Sequence, residues 1–356
     1  MTLADRFQTL GLPAGGQCGA LMRTIDWGSG PVGSPDGWPP SLRTALGIML
    51  DSAHPMAVVW GAERVLFYND GYRPMLGQTK HPSAMGRPTR VTFPEIWEQI
   101  APLFDRIWAH EAPLLMTDQL FVLERNGYAE ECYFDFSYGA IRDERGRVGG
   151  VFVACTETTR RVLSARRLGT LRDLATRTAD ARTAEEVGAA VARVLADHRA
   201  DVPFALLYVL EDEGAAVRLL GASGATPHVP NGATPSDVRA VAAPWPPGER
   251  IDDEPVWETV DLAALLPDLP GGSFLESTAR ALPLRIRVSA PGASDAVLVA
   301  GVSPRRELDD DYLWGLKTRS HSGASPEGCD RHGASPRCLD RPHQDLWEIG
   351  CGKSVG

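Results

Sequence analysis

The chain has 356 residues, enough for two or three domains that each bury a core. Apolar residues make up 43% and charged residues 23%, a globular balance that excludes wholesale disorder. The net charge of -10 argues against a general nucleic-acid binder, because phosphate contacts need a basic surface.

No stretch approaches the roughly 20 apolar residues of a membrane span, and the longest runs, 204–210 and 296–302, are strand-sized. The first twelve residues lack the basic start and apolar core of a secretory signal. A cytoplasmic protein without membrane insertion is the expectation. Cys18, Cys132 and Cys155 are widely scattered, which suits reduced thiols better than a disulfide framework.

Residues 1–40 are rich in Gly and Pro, and the run from Asp26 to Ser41 suits neither a helix nor a central strand. This segment is expected to be an irregular strap, with Trp27 and Trp38 lying on a domain surface or in an ordered loop. Ser41 is a good N-cap for a helix bearing Leu42, Ala45, Leu46, Met49 and Leu50, ended by His54-Pro55. Strands follow at 57–60 and 65–68 around Gly61. Asn69-Asp70 should cap the next turn. Pro74, Pro82 and Pro88 leave only short helical pieces before a stronger helix over 95–110. Pro102 should kink or interrupt that helix.

Three antiparallel strands are predicted at 115–123, 131–142 and 148–156, with turns at Arg125-Asn126-Gly127 and 143–146. A proline-free helix over 158–177 carries Val162, Ala165, Leu168, Leu171 and Leu174 at every third position, a stripe that drifts around the helix and is no clean heptad seam. Arg160, Arg161, Arg166 and Arg167 are expected to form its solvated basic face.

Thr183 followed by Glu186 is a capping-box pattern, opening an amphipathic helix through Val187, Ala190, Val191, Val194 and Leu195. Strands are predicted at 204–210 and 216–220, a proline-rich loop at 227–248, and a hairpin of 281–288 with 295–302. Apolar periodicity then disappears. Residues 315–356, with a repeated Gly-Ala-Ser-Pro, read as a disordered or frameshifted tail. Its Cys329, His332, Cys338 and His343 match no compact zinc-ligand spacing.

Three stretches carry a family resemblance. They are Asp26-Trp27 through Trp38-Pro39 to Thr44-Ala45, Phe67-Tyr68-Asn69-Asp70 through Leu76-Gly77, and Phe134-x-Phe136-Ser137-Tyr138 through Gly149-Gly150-Val151, which ends in Thr156-Glu157-Thr158-Thr159. They resemble the PAS domains of bacterial multi-sensor hybrid histidine kinases over residues 20–180. Residues 181–314 are similar to the GAF domain that follows in such proteins. The resemblance implies an α+β architecture. A PAS fold at 41–157, a five-stranded antiparallel sheet with flanking helices, is followed by a signalling linker helix at 158–180. An incomplete GAF-like α+β domain at 181–314 then lacks its closing helix, so an apolar sheet face within 204–302 should lie open.

The resemblance further implies a two-component sensory input module that dimerises through the linker helix, working with an intact histidine kinase or a response regulator. The chain departs from the family where a phosphoacceptor His box and a Gly-rich ATP lid should follow; His321 sits in Ser-His-Ser-Gly, without the acidic neighbour and proline. A frameshifted or truncated gene would account for that. The alternatives are a functional histidine kinase, or a haem- or flavin-bound PAS sensor. A flavin photosensor needs a reactive Cys that neither Cys132 nor Cys155 supplies in the right setting, and a haem sensor needs an axial His, with His81 and His110 the candidates. No cofactor is assigned, and an unknown small ligand is left open. Candidate lining residues are Trp60, Phe67, Trp97, Phe121 and Phe134 in the first domain, and Trp245 and Trp257 in the second. Ordinary core packing is the competing role for all of them.

Overall fold

The computed structural model describes residues 7, 9–109, 112–211, 216–224, 260–261, 280–286 and 294–306. The described residues carry two five-stranded antiparallel sheets with helices on their faces. Trp245, Trp257, His110, His321, the Cys/His set of the tail and the whole of 315–356 lie outside the described residues.

The first sheet contains β1 (Met56–Trp60), β2 (Val65–Tyr68), β3 (Leu114–Leu123), β4 (Glu130–Arg142) and β5 (Val148–Glu157), in the order β2-β1-β5-β4-β3. Strand residues alternate between faces. Ala57, Val59, Leu66, Val153 and Cys155 therefore share one face with Phe134, Phe136 and Tyr138, while Val58 and Phe67 share the other. The helices α3 (Arg73–Lys80), α4 (Thr89–Thr92) and α5 (Trp97–Trp108) supply side chains to the first face. Helix α5 runs uninterrupted through Pro102, held by Ile100, Phe104 and Ile107, which are buried against the sheet. The lost backbone bond is outweighed by that burial, so the helix is not interrupted at Pro102.

The N-terminal segment is more ordered than its composition suggests. It forms α1 (Gly16–Met22), two single 3-10 turns and then α2 (Pro40–Asp51). Trp27 and Trp38 are each only 2% exposed, so they are core residues. They pack on Phe67 with ring centroids at 5.0 and 5.7 Å. Asp70 anchors the strap by accepting hydrogen bonds from Gln17 N (2.9 Å) and Cys18 N (2.7 Å) at the start of α1. Asn69 caps the following turn by accepting from Tyr72 N at 3.1 Å, as expected of it. It is also fully buried, and its Nδ2 donates to Met49 O, Ser52 O and His54 O.

Helix α6 (Thr159–Thr178) leaves β5 directly. Helix α7 (Ala184–Asp197) opens with a complete capping box between Thr183 and Glu186. The second sheet contains β6 (Ala205–Glu211), β7 (Ala216–Ser223), β8 (Val260–Asp261), β9 (Arg280–Ile286) and β10 (Ala296–Gly301). Its order, β7-β6-β10-β9-β8, repeats that of the first sheet. No helix among the described residues is long and apolar enough to cross a membrane.

Candidate functional site

Between the first sheet and helices α3 to α5 lies a cavity of about 60 Å³. Its aromatic wall is a chain of ring contacts along β3 and β4. Phe121 meets Phe134 (6.2 Å) and Phe136 (5.8 Å), Phe136 meets Tyr138 (4.9 Å), and Tyr138 stacks on Phe104 (4.8 Å). Met75 and Cys155 line it from α3 and β5, with their sulfur atoms 2.9 Å apart.

The polar groups of the cavity are uncharged. Burial pushes the phenols of Tyr72 and Tyr138 up, and burial together with Glu157 pushes the Cys155 thiol up to about 12. The Thr89 hydroxyl proton is taken by Arg64 O at 2.7 Å. The cavity therefore suits a small neutral apolar molecule with at most one weakly polar atom. Its volume lies far below the roughly 300–1,000 Å³ of sites that hold drug-sized ligands, so the residues present do not fit a haem or flavin ring system.

Of the five sequence candidates, Phe121 and Phe134 line this cavity. The other three lie elsewhere. Phe67 is on the opposite sheet face against Trp27 and Trp38. Trp60 covers Gly149 and Gly150, where an added Cβ would come within 2.8 and 2.5 Å of its ring. Trp97 packs on Phe104, with the Arg64 guanidinium 5.5 Å from its ring. Sequence reasoning passed over Phe104, Phe136, Tyr138, Met75 and Cys155. The period-two run Phe134, Phe136, Tyr138 contained the signal for two of them. His81 lies outside the cavity, its Nδ1 2.9 Å from the Tyr68 hydroxyl.

The strand that forms the aromatic wall also holds the base of α6. Tyr133 N donates to Thr159 Oγ1 at 2.9 Å, and Thr158 N donates to Tyr133 O at 2.8 Å. The Arg125 guanidinium bridges Glu130 and Glu157 with bonds of 2.7–2.9 Å, although only 7% of its side chain is exposed. The basic residues of α6 are not a uniformly solvated face. Arg161 pairs with Asp118, and Arg166 is drawn inward to Glu131 and Asp201.

A second, larger cavity of about 380 Å³ separates α6 and α7 from the second sheet. Leu174, Val187 and Val191 face Leu207, Leu220 and Leu298 across it. Among the described residues, no group of three or more His, Cys, Asp or Glu side chains could hold a metal ion.

The family model of the PAS fold matches residues 50–163. No curated protein matches the sequence. Among solved structures, the GAF domain of an Acinetobacter phosphoenolpyruvate-protein phosphotransferase is 15% identical over 44% of this chain and 89% of that one, with a TM-score of 0.29. The chromophore binding domain of Stigmatella aurantiaca phytochrome P1 is 17% identical over 75% and 92%, with a TM-score of 0.28. The phycoerythrobilin-bound GAF domain of a cyanobacterial phytochrome is 14% identical over 44% and 90%, again with a TM-score of 0.28. The family match and the strand order agree, and residues 50–163 have the PAS fold.

Proposed function

We propose that the chain is the sensory input region of a two-component signalling protein. On this reading residues 41–157, backed by the strap at 1–40, sense a small neutral molecule. The helix over 158–180 relays the state of that domain to a GAF-type domain at 181–314. The observation that carries the reading is the continuity of β4, whose even-numbered residues wall the cavity while Tyr133 is bonded to the first residues of α6. The repeated strand order supports the GAF assignment of the second sheet. Leu168, 65% exposed on α6, supports pairing of two copies along that helix. The partner would be a cytoplasmic histidine kinase or its response regulator.

Native mass spectrometry of the purified full chain tests the ligand. We expect a small adduct on the wild type that Ile100→Phe, which fills the cavity, removes. An adduct unchanged in Ile100→Phe, or a bare mass for both proteins, refutes the ligand site. Adding the chain to a purified histidine kinase should change the rate of ATP-dependent autophosphorylation, and an unchanged rate counts against that partner.

A further inference from the structure

One guanidinium, that of Arg166 in the middle of α6, is shared by two carboxylates that lie far apart in the chain. Arg166 Nη1 and Nη2 donate to Glu131 at 2.7 and 3.2 Å, and Nε and Nη2 donate to Asp201 at 3.1 and 2.6 Å. Glu131 belongs to β4 of the first sheet, and Asp201 to the connection between α7 and β6. Each carboxylate side chain is only 1% exposed. Glu131 also accepts from the Tyr133 hydroxyl at 2.8 Å, and its backbone N–H donates to Arg305 O, just beyond β10, at 3.0 Å.

The arrangement has a direction. Glu131 and Tyr133 sit on one face of β4, and Phe134, Phe136 and Tyr138 on the cavity face of the same strand. A shift of β4 that accommodates a molecule in the cavity moves Glu131 relative to Arg166. A guanidinium holds two carboxylates only while both lie in its plane, because its donors form a rigid fork. A buried carboxylate left without its cation is strongly disfavoured. Such a three-part pair is closed or open, with little between, which is the property a switching element needs.

We infer that Arg166 is a latch that fastens the second sheet to the sensory strand. Its response to the cavity rests on the sensory reading above. Arg166 acts through Glu131 and Asp201 and touches no ligand, so it is a positioning residue.

Hydrogen exchange of the full chain tests the latch. In Arg166→Gln, and in Glu131→Gln, amides of 198–206 should exchange at least about tenfold faster than in the wild type, while 56–68 change less than about twofold. The double variant should add little to either single one. Unchanged exchange at 198–206, equal increases in both segments, or additive effects overturn the latch. Arg166→Lys keeps the charge and loses the fork. It should give an intermediate increase at 198–206, and wild-type exchange in that variant overturns the latch even where Arg166→Gln fails to fold.

Xenon dissolved under pressure, a small apolar probe, tests the link to the cavity. It should slow exchange in 134–138 and alter it at 198–206 in the wild type, with the second response absent in Arg166→Gln. Slowing at 134–138 alone overturns the cavity-linked latch. No response at 134–138 overturns the sensory reading instead, and the substitution results still decide the latch itself.

Discussion

Replacing Asn69 by alanine removes a side chain that joins four separate pieces of backbone. Its Nδ2 lies 3.0 Å from Met49 O and 2.8 Å from both Ser52 O and His54 O, and its Oδ1 accepts from Met56 N and Tyr72 N, each at 3.1 Å. Two amide hydrogens shared among three carbonyls, together with two accepted bonds, amount to four hydrogen bonds. At about 1 kcal/mol each, net of water, Asn69→Ala should cost about 4 kcal/mol. That is a large share of the roughly 5–15 kcal/mol that holds an ordinary domain folded. Asn69→Asp should cost more at neutral pH, because it aims a buried negative charge at three carbonyl oxygens. Its carboxyl would prefer to stay protonated in the fold, so the extra loss should shrink as pH falls. Urea unfolding followed by tryptophan fluorescence measures both, since Trp27 and Trp38 are buried on this side of the sheet. A loss below about 1 kcal/mol for alanine, or an aspartate variant no worse than alanine at pH 7, would refute the reasoning.

Gly77 sits at φ +58 inside α3, and a Cβ there would lie 2.3 Å from Arg125 O, so Gly77→Ala should lose more than about 2 kcal/mol in the same urea assay. Arg125→Met strands Glu130 and Glu157 and should cost about 3 kcal/mol or more, part of which returns when both are changed to glutamine. Thr183→Ala breaks the capping box and should cost about 1 kcal/mol, seen as faster exchange of the amides at 184–186. Burial, and then Arg73, hold the His81 imidazole below its ordinary value of 6.5. The unfolded chain therefore takes up the proton first, and stability should fall as pH drops below 6.5 until the folded state also protonates. His81→Gln should flatten that slope, and an unchanged slope in the variant would show that other groups set it.

The sheet was legible because its signals are local. β2 spans the same four residues in the sequence and in the structure, and the alternation of Phe134, Phe136 and Tyr138 with Tyr133, Asp135 and Ser137 fixes both faces of β4. The capping box at Thr183 needed only a spacing of three residues. What could not be read depends on contacts distant in the chain. Trp27 and Trp38 lie in a segment without periodicity, and their burial depends on Phe67, some thirty to forty residues on, as well as on Phe7 and each other. Choosing large aromatics for the cavity mixed the two sheet faces, although the pairing of Phe67 with Val58, and of Leu66 with Val59, separates them. The strands on either side of Arg125–Asn126–Gly127 end at Leu123 and resume at Glu130, within a residue of the reading, but the inward turn of Arg125 to Glu130 and Glu157 had no local signal. Arg166 resembles the other arginines of α6 in sequence, and only the fold brings Glu131 and Asp201 to it.

The strand order shared by the two sheets bears on how the chain acquires its structure during synthesis. In each sheet the last strand made, β5 or β10, is the central one, inserted between partners on either side. A ribosome that has released residues up to 145 has produced β1–β2 and β3–β4 as two hairpins with nothing between them. Neither half can close until its final strand emerges, because the joining contacts span nearly a hundred residues, and such distant pairing forms slowly. Nascent chains shorter than about 157 residues, or between about 180 and 300, would therefore expose unpaired strand edges to chaperones and proteases.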